Sequence, residues 1–190
     1  MVYNLFFAFQ MDINDKYGKG FIQSAIEIAI QKFKRDGITV NLKYGFKGTP
    51  GTTILITEML KKSQESDMVL VDLTFTSSKN WVDATKFKFF NKEIRILDAK
   101  QKDKKSPNPN VLLETGYAWA QKGFYRTLAI MNNAFGDPDE LPVDLQGFRW
   151  GITYHLNEKN YSERKQKRKD LSAALYKAIK ESIALSLIHI

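Results

Sequence analysis

Cysteine is absent from this sequence, and histidine occurs only twice, at His155 and His189. Without cysteine the chain has no disulfide bond and no thiolate metal site, which is typical of a reducing compartment. Two histidines argue against a histidine-rich zinc site and against a Ser-His-Asp triad. Chemistry in this chain therefore has to come from carboxylates, amides, hydroxyls and backbone groups.

Long apolar runs are also lacking. No uncharged apolar stretch approaches the roughly 18 residues that a transmembrane helix needs. The first seven residues lack a basic segment followed by a long apolar one, so no signal peptide is recognisable. We therefore predict a cytoplasmic protein without a membrane span.

Positive charge is in excess, with a formal net charge of +8. Much of the excess lies in two lysine- and arginine-rich clusters, at residues 100–105 and 164–169. No aromatic residues alternate with these charges to stack on bases, so we interpret them as a solvated loop and a solvated helix start. Direct nucleic-acid binding is not expected, whereas attraction of an anionic nucleotide remains compatible with the charge.

Apolar runs and amphipathic segments alternate along the chain, which predicts an α/β fold. We expect a flavodoxin-like, Rossmannoid three-layer sandwich with a mostly parallel sheet of about five strands. The predicted strands are 4–9, 38–42, 67–74, 127–131 and 148–154, and the predicted helices are 21–35, 54–64, 111–121 and 160–184. Between them, we predict a short helix at 81–90, a strand at 93–97 and an exposed lysine-rich loop.

The domain organisation follows from these elements. Residues 1–159 form the α/β domain, and an amphipathic helix at 160–184, with Ser162 as its N-cap, packs on it or leads to a further domain. Residues 185–190 are the translation of CTG TCT CTT ATA CAC ATC, a transposon end used in sequencing libraries. We expect them to be adapter sequence, the alternative being an ordinary apolar helix end.

The most informative stretch is 106–123. Pro107 and Pro109 predict an extended entry, Asn110 is a good N-cap, and Gly123 is a plausible stop. Glu114 lies at the start of this helix among apolar and small residues. A helix N-terminus favours an ionised carboxylate, which suits a nucleophile or charge stabiliser better than a general acid. The alternative is a carboxylate that only complements the helix dipole.

Other polar groups accompany Glu114. Asp72 ends the most apolar strand, where α/β folds bind ligands, although it could equally cap the following turn through Thr74 and Thr76. A glycine-rich loop at 44–53 leads into a helix and can cradle phosphate. Asparagine amides can orient ribose or phosphate, and aromatic rings can stack on a base. Such a set suits cleavage of an N-glycosidic bond, because a carboxylate can stabilise or attack the oxocarbenium-like carbon.

Several stretches resemble the bacterial TIR-like nucleotide-binding domains, which are related in fold to nucleoside 2-deoxyribosyltransferases. They are residues 5–9, 47–51, 67–74, 108–118 and 132–147, and the block Asn-Pro-Asn-Val-Leu-Leu-Glu-Thr-Gly-Tyr-Ala at 108–118 is the most specific of them. The resemblance implies that Glu114 is the catalytic residue. Together with the chemistry above, the predicted substrate-binding residues are Phe7, Ala8, Phe9, Lys47, Gly48, Gly51, Thr52, Asp72, Asn108, Asn110 and Trp119.

The resemblance leaves three hypotheses about function. The first is an NAD⁺ glycohydrolase or cyclase that cleaves the nicotinamide–ribose bond in bacterial anti-phage defence. The second is a nucleoside 2-deoxyribosyltransferase, and the third is a nucleotide-sensing module without activity. NAD⁺ would be a substrate, with no cofactor or metal expected. The implied partners are further copies of the chain, assembled on activation, and a sensor domain or protein.

Overall fold

The computed structural model describes residues 1–45, 55–79, 86–89, 92–95, 104–146 and 152–188. Its strands are β1 (Val2–Ala8), β2 (Thr39–Lys43), β3 (Met68–Asp72), β4 (Phe75–Lys79), β5 (Lys86–Phe89), β6 (Lys92–Arg95), β7 (Lys104–Pro107), β8 (Thr127–Asn132) and β9 (Ile152–Tyr154). Five of them form one sheet in the order β2-β1-β3-β8-β9, and all four pairings within it are parallel. The prediction of a parallel, five-stranded α/β sheet is confirmed.

Helices cover both faces of this sheet. They are α1 (Lys19–Arg35), α2 (Leu55–Glu65), α3 (Pro109–Lys122), the short α4 (Val143–Gln146) and α5 (Arg164–Ile188). Helices α1 and α5 pack against each other on one face, while α2 and α3 pack together on the other. The arrangement is the three-layer, flavodoxin-like sandwich that the sequence predicts.

The side chains of the central strands divide between the two layers, because successive residues of a strand point to opposite faces. Leu5 and Phe7 join the core under α1 and α5, whereas Phe6 and Ala8 join the core under α3. Strand β3 is buried at every position. Both central strands therefore read as continuous apolar runs in the sequence.

The long helices follow their apolar periodicity. The buried residues of α1 recur every three or four positions and are Phe21, Ile22, Ala25, Ile26, Ala29 and Phe33. Those of α5 that join the same core are Leu171, Leu175, Ile179 and Ile183. Such a stripe buries one side of each helix and leaves the other polar. Among the described residues, no helix combines the length and the apolarity needed to cross a membrane.

The region between β3 and α3 differs from the prediction. Lys86–Phe89 is a strand paired antiparallel with Lys92–Arg95, not part of a helix. Lysine and phenylalanine alternate there with a period of two, which favours a strand over a helix. The end of the lysine-rich segment, Lys104–Pro107, pairs antiparallel with β4 and is not a loop. The rest of the segment, and residues 96–97 of the predicted strand, lie outside the described residues.

Two helix starts also differ. Asn108, not Asn110, is the N-cap of α3, and Pro109 is the first helical residue. Proline is well suited to that position, because its fixed φ matches the helix and its missing N–H costs nothing there. Ser162 lies inside a 3-10 turn, Tyr161–Glu163, and is not the N-cap of α5, which begins at Arg164 and continues past residue 184 to Ile188.

Candidate functional site

The carboxyl ends of β1 and β3 lie side by side where the winding of the sheet reverses. The chain leaves β1 toward β2 on one side and resumes at β3 on the other. In open α/β sheets of this order, ligands bind in the crevice at this switch point. The groups that converge here come from the loop after β1, the end of β3 and the start of α3.

Asp72, the last residue of β3, is fully buried. One carboxylate oxygen accepts from the backbone N–H of Thr74 at 3.1 Å and from its hydroxyl at 2.5 Å. The other accepts from the side-chain amide of Gln10 at 3.4 Å. Burial raises the pKa of Asp72 to about 6, against the lowering effect of these hydrogen bonds. The capping of the following turn through Thr74, one of the two sequence interpretations of Asp72, is confirmed.

Asn132 ends β8 and joins this edge to the next strand. Its buried amide donates to the carbonyls of Tyr17 and Leu156 at 3.1 and 2.7 Å, and its oxygen accepts from the N–H groups of Ala134 and Leu156. Its own backbone N–H donates to the hydroxyl of Thr74 at 2.9 Å. Because its side chain is saturated by these bonds, Asn132 acts as a structural tie among three loops.

Asn108 stands at the head of α3. Its side-chain oxygen accepts from the backbone N–H of Asn110 at 2.9 Å, and its amide donates to the carboxylate of Asp12 at 2.7 Å. A capping asparagine satisfies one of the free N–H groups of the first turn. The contact with Asp12 also joins α3 to the loop that follows β1. Asn110 itself is exposed.

Glu114 is the most unusual polar side chain of the described chain. Only 1% of its surface is exposed, and neither carboxylate oxygen has a hydrogen-bond partner among the described residues. On the same face of α3, Val111 and Ala118 pack into the apolar core formed with β1 and β3. Loss of hydration raises the pKa of Glu114 from 4.5 to about 7.

The expectation that the helix N-terminus favours an ionised Glu114 is wrong. No acidic residue lies in the first turn of α3, because the helix begins two residues earlier than predicted. The dipole effect falls off within that turn, and burial dominates beyond it. The structure therefore gives a carboxyl group that exchanges its proton near neutral pH.

The two predicted acids lie on opposite faces of the sheet. Glu114 faces the core that contains Val69, Val71 and Leu73, whereas Asp72 alternates with them and shares its face with Met68 and Leu70. The sheet itself separates the two groups. The structure therefore supports a site with one carboxylate, Glu114, and gives Asp72 a different environment.

The other predicted substrate-binding residues are distributed among these layers. Ala8 lies on the Glu114 face, and Phe7 on the opposite face. The ring of Phe9 is half-buried, tilted against Phe7 at 5.3 Å, with the amine of Lys19 over it at 4.5 Å. Trp119 packs against Phe124 and against the apolar cluster of Phe75, Met131, Leu141 and Leu145.

Residues 46–53 of the glycine-rich loop lie outside the described residues, and with them Lys47, Gly48, Gly51 and Thr52. A cavity of about 470 Å³ opens between β2 and the end of α2. Its lining residues are Asn4, Leu42, Lys43, Tyr44, Lys62, Glu65 and Ser66. Neither Glu114 nor Asp72 belongs to this lining. Within the described ranges, no group of three histidine or acidic side chains could hold a metal ion.

Sequence reasoning missed Gln10 and Asp12. Gln10 is 98% buried, and its oxygen accepts from the backbone N–H groups of Asp12 and Ile13 at 2.7 and 3.0 Å. Its position in the sequence could have indicated this role, since Gln10 is the first polar residue after the apolar run of β1. The pairing of Asp12 with Asn108 joins residues 96 positions apart and has no sequence signal.

Comparison with known proteins adds little to this geometry. No protein-family model matches the chain, and no curated protein matches it. Among solved structures, the chain is similar to the flavodiiron protein from Giardia intestinalis, with 12% sequence identity and a TM-score of 0.35. The match covers 96% of this chain and 37% of that protein.

Proposed function

We propose that this chain is a TIR-like NAD⁺ glycohydrolase or ADP-ribosyl cyclase that cleaves the nicotinamide–ribose bond with Glu114 as its catalytic residue. The observation that carries the proposal is the burial of Glu114 on the face of α3 that packs against β1 and β3, where neither carboxylate oxygen has a hydrogen-bond partner among the described residues. A carboxyl group in apolar surroundings is costly for folding. Strongly perturbed acids of this kind cluster at functional sites.

The chemistry explains why such a carboxylate would be useful. When the C–N bond breaks, its electron pair leaves with neutral nicotinamide, and positive charge develops at the anomeric carbon. A carboxylate stabilises that charge best where water is excluded. Water then attacks the carbon and releases a proton, or a group of the ADP-ribose itself attacks and closes a ring.

NAD⁺ would also bring a positively charged partner for Glu114, because its nicotinamide ring is a cation. Two opposite unit charges about 4 Å apart attract by about 4 kcal/mol at an effective dielectric constant of about 20, or about three pKa units. The elevation of the Glu114 pKa from 4.5 to about 7 is of similar size. A bound nicotinamide cation would therefore restore the ionised form that catalysis requires.

Access to the site implies activation. Because Glu114 is 1% exposed, NAD⁺ can reach it only after neighbouring groups move. That requirement agrees with the resemblance to domains that become active on assembly. On the same resemblance we propose a cytoplasmic role in anti-phage defence, with homo-oligomerisation and a sensor domain or protein as the trigger.

The test is release of nicotinamide from NAD⁺, measured with wild type, Glu114→Gln and Glu181→Gln at high protein concentration and with a crowding agent to favour assembly. Glu181 is an exposed glutamate of α5 that pairs with Lys177 at 4.0 Å, so it is a matched control. We expect release by wild type and Glu181→Gln and a loss of at least about a hundredfold in Glu114→Gln.

Equal rates of nicotinamide release by Glu114→Gln and wild type would show that Glu114 is not the catalytic residue. Exchange of bases between two deoxynucleosides without loss of NAD⁺ would replace the proposal with deoxyribosyl transfer. Tight binding of NAD⁺ without turnover would replace it with a sensing role.

A further inference from the structure

A continuous chain of hydrogen bonds runs from the end of β3 to the head of α3. It starts at Asp72, which is held by Thr74 on one side and by the amide of Gln10 on the other. Every member of this first part is more than nine-tenths buried. Buried polar groups joined in this way fix each other's orientation, because each alternative leaves a group unpaired.

Gln10 transmits the orientation of Asp72 to the loop after β1. Its amide nitrogen donates to Asp72, so its oxygen must face the opposite way, where it accepts from the N–H groups of Asp12 and Ile13. The side chain of Asp12 then accepts from Asn108 at 2.7 Å. Asn108 in turn caps the helix that carries Glu114.

We infer that Asp72 is a positioning residue: acting through Gln10 and Asp12, it sets the orientation of Asn108 and so the placement of the start of α3, the helix on which Glu114 lies. Asp72 does not contact the substrate in this assignment, which replaces the sequence-based prediction of a substrate-binding role. The catalytic consequence rests on the function proposed above, whereas the positioning itself does not.

The donor and acceptor pattern makes the inference testable. In Asp72→Asn, the new amide can face Gln10, and two donors then oppose each other. If Gln10 turns its amide over, its nitrogen instead meets the N–H groups of Asp12 and Ile13. No arrangement of the single variant satisfies all the groups, so the loop and the Asn108 contact should loosen.

The double variant Gln10→Glu/Asp72→Asn restores the pattern with side chains of the same size. The amide oxygen introduced at position 72 would accept from Thr74 as before, and the amide nitrogen there would donate to one oxygen of the carboxylate introduced at position 10. The second oxygen of that carboxylate would accept from Asp12 and Ile13. The pair keeps one negative charge, and each hydrogen bond of the wild-type chain again joins a donor to an acceptor.

The experiment follows the side-chain amide of Asn108 by ¹⁵N NMR, with its signal assigned by its loss in Asn108→Ala. We expect Asp72→Asn to accelerate exchange of this amide about tenfold and the double variant to restore it. Asp67→Asn is the matched control, because Asp67 flanks the other end of β3 and its side chain accepts only from Asn4 among the described contacts. It should leave the Asn108 signal unchanged.

An unchanged Asn108 signal in Asp72→Asn would overturn the inference. If Asp72→Asn does not fold, Gln10→Ala tests the same inference, because it removes the hydrogen bond between Gln10 and Asp72 and leaves those between Asp72 and Thr74. These signals are read without NAD⁺, so they stand even if the chain does not cleave it. If it does, kcat per folded molecule should fall about tenfold in Asp72→Asn, with a smaller change in KM, and recover in the double variant.

Discussion

Replacing Glu114 with glutamine removes an ionisable group that the fold surrounds with apolar side chains. The glutamine has nearly the same size, so the packing of Val111 and Ala118, which lie on the same face of α3, should survive. Neither the protonated acid nor the amide carries a charge. The variant therefore isolates the free energy of ionising one buried carboxyl group.

The sign follows from proton binding. The pKa of Glu114 is about 7 in the folded protein, against an ordinary value of 4.5. Between these values the folded state binds more protons than the unfolded state, so stability falls as pH rises. Below about pH 4.5 both states are protonated and the effect vanishes.

The magnitude is the shift of the pKa multiplied by about 1.4 kcal/mol per unit, or about 3 kcal/mol once the folded group is ionised. We therefore expect Glu114→Gln to match wild type near pH 4.5 and to exceed it by about 3 kcal/mol near pH 8. For a domain of this size the difference raises Tm by roughly 6–12 °C.

Urea unfolding followed by circular dichroism at several pH values measures this difference directly. The pKa of Asp72 is raised too, but Asp72 is present in both proteins and cancels in the comparison. Glu181→Gln controls for loss of a glutamate and should stay within about 0.5 kcal/mol of wild type.

A constant difference between Glu114→Gln and wild type across this pH range would refute the reasoning. It would mean that Glu114 keeps an ordinary pKa, through hydration or a partner that satisfies its charge. A difference of opposite sign, with wild type the more stable at high pH, would mean that a cation pairs with Glu114 in the folded protein.

Three further predictions rest on the same geometry. If NAD⁺ is the substrate, kcat/KM should rise with pH and level off above about 7, because the free enzyme must lose the Glu114 proton; a flat pH–rate profile would contradict this. Asn108→Ala should lower the free energy of unfolding by about 1 kcal/mol, and Asn110→Ala by clearly less, as measured by urea unfolding; the reverse order would restore Asn110 as the cap. Asn132→Ala should lower the free energy of unfolding by about 3 kcal/mol or more, because it leaves buried groups in three loops without hydrogen-bond partners. Asn133→Ala loses one contact with His155 and should lower it by less than about 1 kcal/mol, as for an ordinary hydrogen bond. An equal fall in Tm for Asn132→Ala and Asn133→Ala would show that the hydrogen bonds of the Asn132 side chain do not stabilise the fold.

Much of the fold can be predicted from local patterns in the sequence. The apolar runs of β1 and β3 and the stripes of α1 and α5 each reveal their element, because periodicity reports which residues share a face. The α3 stretch also revealed Glu114 as an acid among apolar neighbours. The prediction of Asn110 as its cap is wrong, since Asn108 and Asn110 have the same capping chemistry and only the path of the chain selects Asn108.

The β4–β7 pairing could not be predicted in the same way. Lys104–Pro107 is strongly charged, and its strand exists because β4 lies beside it and completes its hydrogen bonds. Likewise, Gln10 reaches Asp72 only because β1 and β3 are neighbours in the sheet, and Asp12 reaches Asn108 only because α3 begins beside the loop after β1. Contacts across such distances along the chain leave no local pattern.

By itself, then, the sequence determined the alternation of strands and helices and marked Glu114 and Asp72 as the acids to explain. Tertiary structure decided that these acids lie on opposite faces of the sheet, one without a hydrogen-bond partner among the described residues and the other bound on both sides. It also decided the proton affinity of Glu114. The physical reason is that a pKa depends on the water and charges that surround a group in space, and those neighbours come from strands distant in the chain.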